Sequence, residues 1–209
     1  FTNGDPGAMI DENQVNTDAV IGSANYDIGH VFGTNSGGLA GLGVICTASK
    51  ANGVTGSGAP INYPFDIDYV AHEMGHQFGG NHTFRASSGA CQGNANSATA
   101  FETGSGSTIM AYAGICGVND VQPNSDAYFH SASVNEMYKV ITRASDCSVK
   151  TKNNNGVPTA DAGLDYTIPK STAFVLTGVG TDPNNDPITY LWEQLDSQNS
   201  TQPPVSTAT

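Results

Sequence analysis

The chain has 209 residues, only 12% of them charged, with 7 Lys and Arg against 19 Asp and Glu for a formal charge of −12. So acidic a surface repels phosphodiester backbones and anionic lipid, which argues against nucleic-acid binding and membrane-surface binding. No stretch approaches the ~20 apolar residues of a membrane span, and abundant Gly, Ser, Thr and Asn with little Lys reads as an exported, loop-rich protein.

The opening Phe1-Thr2-Asn3-Gly4 is no signal peptide, so a processed or trimmed chain is expected, with signal and pro-segment upstream. Apolar spacing at Ile10, Val15, Ala19 and Val20 predicts a helix over 8–21. Residues 26–32 and 39–46 read as strands, the second flanked by glycines, and His30 in the first is expected to be structural. Residues 47–64, rich in Gly, Ser, Asn and Pro, read as a loop, followed by a helix over 65–78 whose N-terminus Asp66 or Asp68 would favour. Residues 85–108 are poor in apolar side chains and should be irregular. Tyr128-Phe129-His130-Ser131 leads into a second helix over 133–145 with Ser131 or Ser133 as N-cap, and His130 is a helix-entry residue, not a ligand.

The segment His72-Glu73-Met74-Gly75-His76-Gln77-Phe78-Gly79-Gly80-Asn81-His82 spells HExxHxxGxxH and holds three of the chain's five histidines. Spaced four apart, His72 and His76 share one helix face with about 6 Å of rise between them, so two imidazoles can converge on one cation. Glu73 projects beside them as a general base for water. Gly79 can take a positive φ, end the helix and return His82 as a third ligand. Three nitrogen ligands with an open fourth position describe a catalytic zinc, whereas structural zinc is closed by four protein ligands.

Downstream, Gly106-Ser107-Thr108-Ile109-Met110-Ala111-Tyr112 places a methionine about thirty residues past the third histidine. With the histidine motif, this resembles the metzincin metallopeptidases, and most closely the bacterial reprolysin-like (adamalysin-type) branch. The resemblance covers roughly residues 8–148. It implies a mixed α/β (α+β) catalytic domain over 1–149 with a twisted mixed sheet and an active-site helix. It implies Zn²⁺ held by His72, His76 and His82, Glu73 as catalytic base, and Met110 in the turn beneath the metal. Tyr112 matches a position where some branches carry a zinc-proximal or oxyanion tyrosine, with packing or a pocket wall as its other role. Gly37-Gly38-Leu39-Ala40-Gly41-Leu42-Gly43-Val44-Ile45-Cys46 looks like the family's edge strand, so Leu39, Ala40, Gly41 and Leu42 are the implied substrate-binding residues. Thr83-Phe84 follows the third histidine where adamalysins carry Asp, which is similar to the pappalysin branch and leaves specificity open. Only 71 residues precede His72, and by this likeness the first strand and helix of the usual sheet are expected to be missing.

Cys46, Cys91, Cys116 and Cys147 permit three pairings. None forms a C-x-x-C pair or sits beside the histidine motif, so thiolate metal binding is not expected; free buried thiols are the alternative to disulfides. The family likeness implies Cys46 with Cys147 and Cys91 with Cys116. Oxidised pairs would place the protein outside the cytosol.

Residues 150–157 read as a polar linker. Alternating stretches at 174–176 and 188–192 flank Thr181-Asp182-Pro183-Asn184-Asn185-Asp186-Pro187. Residues 158–209 thus look like the first half of a PKD-type, all-β sandwich module. Asp182, Asn184 and Asp186 offer oxygen ligands for Ca²⁺, with an Asx-rich turn the favoured reading.

These features together read as a secreted, monomeric zinc endopeptidase acting on protein or peptide substrates. The rival is a non-catalytic adhesion or matrix-binding protein with a vestigial metalloprotease domain, against which the retained Glu73 counts.

Overall fold

Asp5-Pro6 starts the first helix. In the computed structural model, α1 spans Pro6–Val20, with Asp5 Oδ1 accepting the Ala8 N–H at 3.1 Å and Pro6 in the first turn. Proline there gives up no hydrogen bond and presets φ. The structure describes residues 1–35, 37–143 and 147–196. The buried face of α1 is Met9, Ile10 and Asn13, while Val15 and Val20, which the spacing placed inward, are exposed. The helix is docked partly by polar bonds: Asn13 Nδ2 donates to Ala51 O at 2.7 Å, and Gln14 Oε1 accepts the Ala51 N–H at 2.7 Å. A face fastened by amides does not show as an apolar stripe.

Three short strands form a mixed sheet in the order β1-β3-β2: β1 (Val31–Gly33), β2 (Gly37–Ala40) and β3 (Gly53–Gly56). β1 runs parallel to β3 and β2 antiparallel to it, which leaves β2 at the edge. Both expected strands are therefore shortened. Residues 26–30 leave the ladder because Tyr26 and His30 are held by side-chain bonds, the Tyr26 hydroxyl donating to Asp18 Oδ1 at 2.6 Å. The ladder of the second strand ends where Ala40 faces Gly53, and past it only the Gly41 amide still reaches that segment, at Asn52 O. The amides of Gly43 and Ile45 turn instead to His76 O and Gln77 O, at 2.8 and 3.3 Å. β3, wholly buried, lies inside the predicted 47–64 loop; two glycines in four residues hide it from strand propensity.

The helix carrying the histidines begins earlier than expected. It runs through a short α-turn, α2 (Asn62–Pro64), a π-helical segment (Phe65–Ala71) and α3 (His72–Gln77). Asp66 and Asp68 thus lie inside the helix and not at its start, and Asp68 Oδ1 accepts the Ser125 N–H at 2.7 Å. Single π-turns are rare in helices and recur at functional sites.

Residues 85–108 are irregular as predicted, with one 3₁₀ turn (Gly89–Cys91) and a single bridge between Phe84 and Glu102. Their core is Phe84, Ala86, Ala111 and the Cys91–Cys116 disulfide. The second disulfide joins Cys46 to Cys147, so both pairings implied by the resemblance are present. In the last helix, α4 (Ser131–Arg143), His130 Nδ1 accepts the Ala132 N–H at 3.1 Å, so His130 caps it and the expected serines do not. Ser133 Oγ is buried without a partner. The expected continuation to Ser145 lies outside the described residues.

Two compact units are present, one of Phe1–Ser148 with the stretch from Glu193, the other Val149–Trp192. In the second, β4 (Thr159–Asp161) pairs antiparallel with β5 (Val179–Thr181). The strands expected at 174–176 and 188–192 are not formed, and their side chains stay exposed, because no second layer covers them among the described residues. Asp182 Oδ1 accepts the amides of Asn184 and Asp186 at 2.7 and 3.1 Å, the pattern of an Asx-type turn.

Behind α3, Gln77 is fully buried; its Nε2 donates to Gly29 O at 2.8 Å, and its Oε1 meets His30 Nδ1 at 2.7 Å. His30 Nε2 in turn meets Thr55 Oγ1 at 2.8 Å, so His30 is structural, tying sheet to helix. Gln77→Leu would strand two buried polar groups; the expected loss is about 2–4 kcal/mol, read as a lower Tm in thermal denaturation.

Candidate metal centre

α3 delivers His72 and His76 on one face, and the chain then reverses at Gly79, whose φ is +102°. A side chain there would be strained and would press into Val140 of α4. The reversal brings His82 back. Its Nε2 lies 3.0 Å from His76 Nε2 and 3.2 Å from His72 Nε2.

Each ring is anchored at its other nitrogen. His72 Nδ1 donates to Ile109 O at 2.6 Å, His76 Nδ1 to Gly80 O at 2.7 Å, and His82 Nδ1 to Asn94 O at 2.7 Å. A carbonyl only accepts, so each Nδ1 carries the proton and each Nε2 presents a lone pair. Burial holds all three imidazoles neutral: His72 well below its ordinary value, His76 down to about 4, and His82 lowered. Three lone pairs converging within 4.8 Å repel one another and fit a shared divalent cation, with no fourth His, Cys, Asp or Glu joining them among the described residues. Asp27 with Cys46 and Cys147 also cluster, but both sulfurs are consumed in the disulfide.

Glu73 points from the same helix toward β2, and burial pushes its carboxyl up to about 8. It lies flush against Gly38: a Cβ on that glycine would overlap the Glu73 carboxylate. Gly38 was not singled out in the sequence, although its place beside Leu39 in a glycine-rich strand is the visible signal. Met110 is fully buried beneath α3, where its sulfur occupies the space a side chain at Gly75 would need. Tyr112 packs its ring 4.6 Å from His82 and 5.4 Å from His72, and burial, then the nearby Glu73, pushes its hydroxyl up to about 12. Of the expected substrate-strand residues, Leu39, Ala40 and Leu42 line a cleft of about 800 Å³ beside Glu73, His76 and His82. Gly41 does not; its amide donates to Asn52 O at 2.9 Å.

Two carboxylates that sequence reasoning missed hold the returning segment. Glu136 of α4 accepts the Asn81 backbone and side-chain amides, both at 2.8 Å. Glu102 accepts the Ser107 and Thr108 amides at 2.8 and 3.0 Å and the Thr108 hydroxyl at 2.6 Å, and also takes the Thr83 hydroxyl. It therefore ties the residue after His82 to the turn before Met110. No local pattern marks such a residue, since its donors come from two distant segments.

Residues 3–151 match the family model of the reprolysin-like M12B metallo-peptidases, and the chain belongs to that family. No curated protein matches it. Family membership makes the chain a metallopeptidase with peptide or protein substrates, and the three-histidine group is compatible with the family's zinc. No described helix is long and apolar enough to cross a membrane.

Removing an anchor behind metal ligands typically weakens metal binding roughly 10–100-fold. Glu102→Ala is therefore expected to raise the Kd for Zn²⁺ in a competition titration, with Glu102→Gln, which keeps one acceptor oxygen, falling between it and the wild type.

Proposed function

We propose that this chain is a secreted zinc-dependent endopeptidase. The observation that carries the proposal is the convergence of three neutral Nε2 lone pairs beside a buried carboxyl group. His72, His76 and His82 would hold Zn²⁺, whose charge acidifies water and polarises a peptide carbonyl. Glu73, wedged between α3 and Gly38, would be kept ionised by the charge of a bound Zn²⁺; it would accept a proton from the attacking water and return it to the leaving amine as the C–N bond breaks. Tyr112, protonated throughout the neutral range, donates its hydroxyl toward the carbonyl oxygen as negative charge develops there. Met110 supplies a rigid apolar floor that stops the helix sinking between the two histidines.

The outer edge of β2 has no strand partner among the described residues, and Leu39, Ala40 and Leu42 stand beside the cleft. We read this edge as pairing with an extended substrate, main chain to main chain. Two disulfides support an oxidising, extracellular setting. Residues 1–149 are read as the catalytic domain, 150–157 as a linker and 158–209 as part of a PKD-type module, the last supported by the β4–β5 pair.

Glu73→Gln should retain stoichiometric zinc yet lower kcat on a casein-derived peptide about 10²–10⁴-fold. A mutant cutting at the wild-type rate would remove Glu73 from the chemistry. His82→Ala should lose zinc and activity together, and a chelator should silence the wild type until zinc is restored. A zinc-loaded wild type that cuts no peptide would favour the non-catalytic adhesion reading.

A further inference from the structure

A second pocket, of about 330 Å³, opens beside the cleft and shares Gly38, Glu73, Asn94 and Tyr112 with it, so the two meet at the reacting centre. Its walls are largely apolar, with Pro64, Ala111, Ala113, Ile115 and Pro123 among them, and no Lys or Arg lines it. Asp68, from the π-helical segment, stands in this wall. Its carboxylate is held by neutral donors only: the Ser125 N–H on Oδ1 at 2.7 Å and, with the side-chain amide of Asn124 turned to satisfy both its ends, Asn124 Nδ2 on Oδ2 at 3.0 Å. The loop bearing these donors is itself pinned to the helix, since the Tyr63 hydroxyl donates to Ser125 O at 3.0 Å. Burial raises the Asp68 carboxyl, and no salt bridge to it occurs among the described residues.

We propose that Asp68 determines specificity, selecting an arginine or lysine side chain next to the scissile bond. The proposal rests on the endopeptidase reading. A long cationic side chain lays its aliphatic stem along apolar walls and brings its charge to a carboxylate at the far end. The second pocket offers both, with alanine, proline and isoleucine side chains in its wall and the Asp68 carboxylate apart from Glu73, which sits where the pocket meets the cleft. Two neutral donors orient the carboxylate and leave lone pairs free, so its charge is uncompensated until such a side chain enters. The chain's net charge of −12 would also draw cationic peptides toward the cleft.

Asp68 also fastens the helix to residues 123–125, and a purely structural role must be separated from charge recognition. Asp68→Asn does this, because its amide oxygen still accepts the Ser125 N–H while the charge is gone. The zinc-loaded full chain and this variant would digest a diverse peptide library, with cut sites read by mass spectrometry. Matched Arg and Leu peptides would then give the ratio of kcat/KM values. In the wild type, Arg and Lys should be enriched at one position flanking the cut, with an Arg-to-Leu ratio of roughly tenfold or more. In Asp68→Asn the ratio should fall toward one, a readout that a general loss of activity cannot mimic because it scales both rates. An unchanged ratio in the variant, or a wild type preferring apolar or acidic residues there, overturns the proposal and leaves the endopeptidase reading intact. A wild type that binds zinc but cuts nothing overturns both.

Discussion

The site depends on three hydrogen bonds that point away from it. Each of the three histidines spends its Nδ1 proton on a backbone carbonyl, and only then does Nε2 offer a lone pair. The three carbonyls come from separate places: Gly80 just past the helix, Asn94 in the irregular lower region, and Ile109 beside the buried methionine. The three imidazoles are therefore sequence neighbours whose supports are not. Any shift of the lower region against the helix would rotate a ring before it broke a covalent link.

Regular structure does little of the holding in that lower region. Between residue 85 and α4 there is no strand ladder, and the work falls to carboxylates and to the Cys91–Cys116 disulfide. Glu102 gathers amides and hydroxyls from the residue after His82 and from the turn before Met110, and Glu136 reaches across from α4 to fix Asn81. A half-buried carboxylate with several donors satisfies loop amides that would otherwise need a sheet. A Gly- and Ser-rich chain can thus stay irregular and still be rigid where rigidity counts.

Glycines play the opposite part, making room. Gly38 lets β2 approach Glu73 closely, so that the edge strand and the acid occupy one side of the cleft. Glu73 in the cleft and Asp68 in the adjoining pocket carry the acidic groups there, and neither cavity is lined by Lys or Arg. The cleft's electrostatics accordingly follow the composition of the whole chain.

The convergence of His72 and His76 and the place of Glu73 beside them were legible in the linear chain because a helix converts spacing into direction: residues four apart share a face in any fold. The disulfide pairing came from family likeness, and composition alone foretold the irregular region. Strand extents did not come through, since Gly53–Gly56 becomes a strand only when buried between two partners. The inward face of α1 departs from its apolar spacing because amide bonds at Asn13 and Gln14 join the apolar contacts of Met9 and Ile10 in docking it. Gly38, Glu102, Glu136 and the surroundings of Asp68 were decided by tertiary structure alone, because each acts on residues brought near by folding. Spacing along one helix is local and survives in sequence; what a side chain meets across a fold is not, and has to be seen.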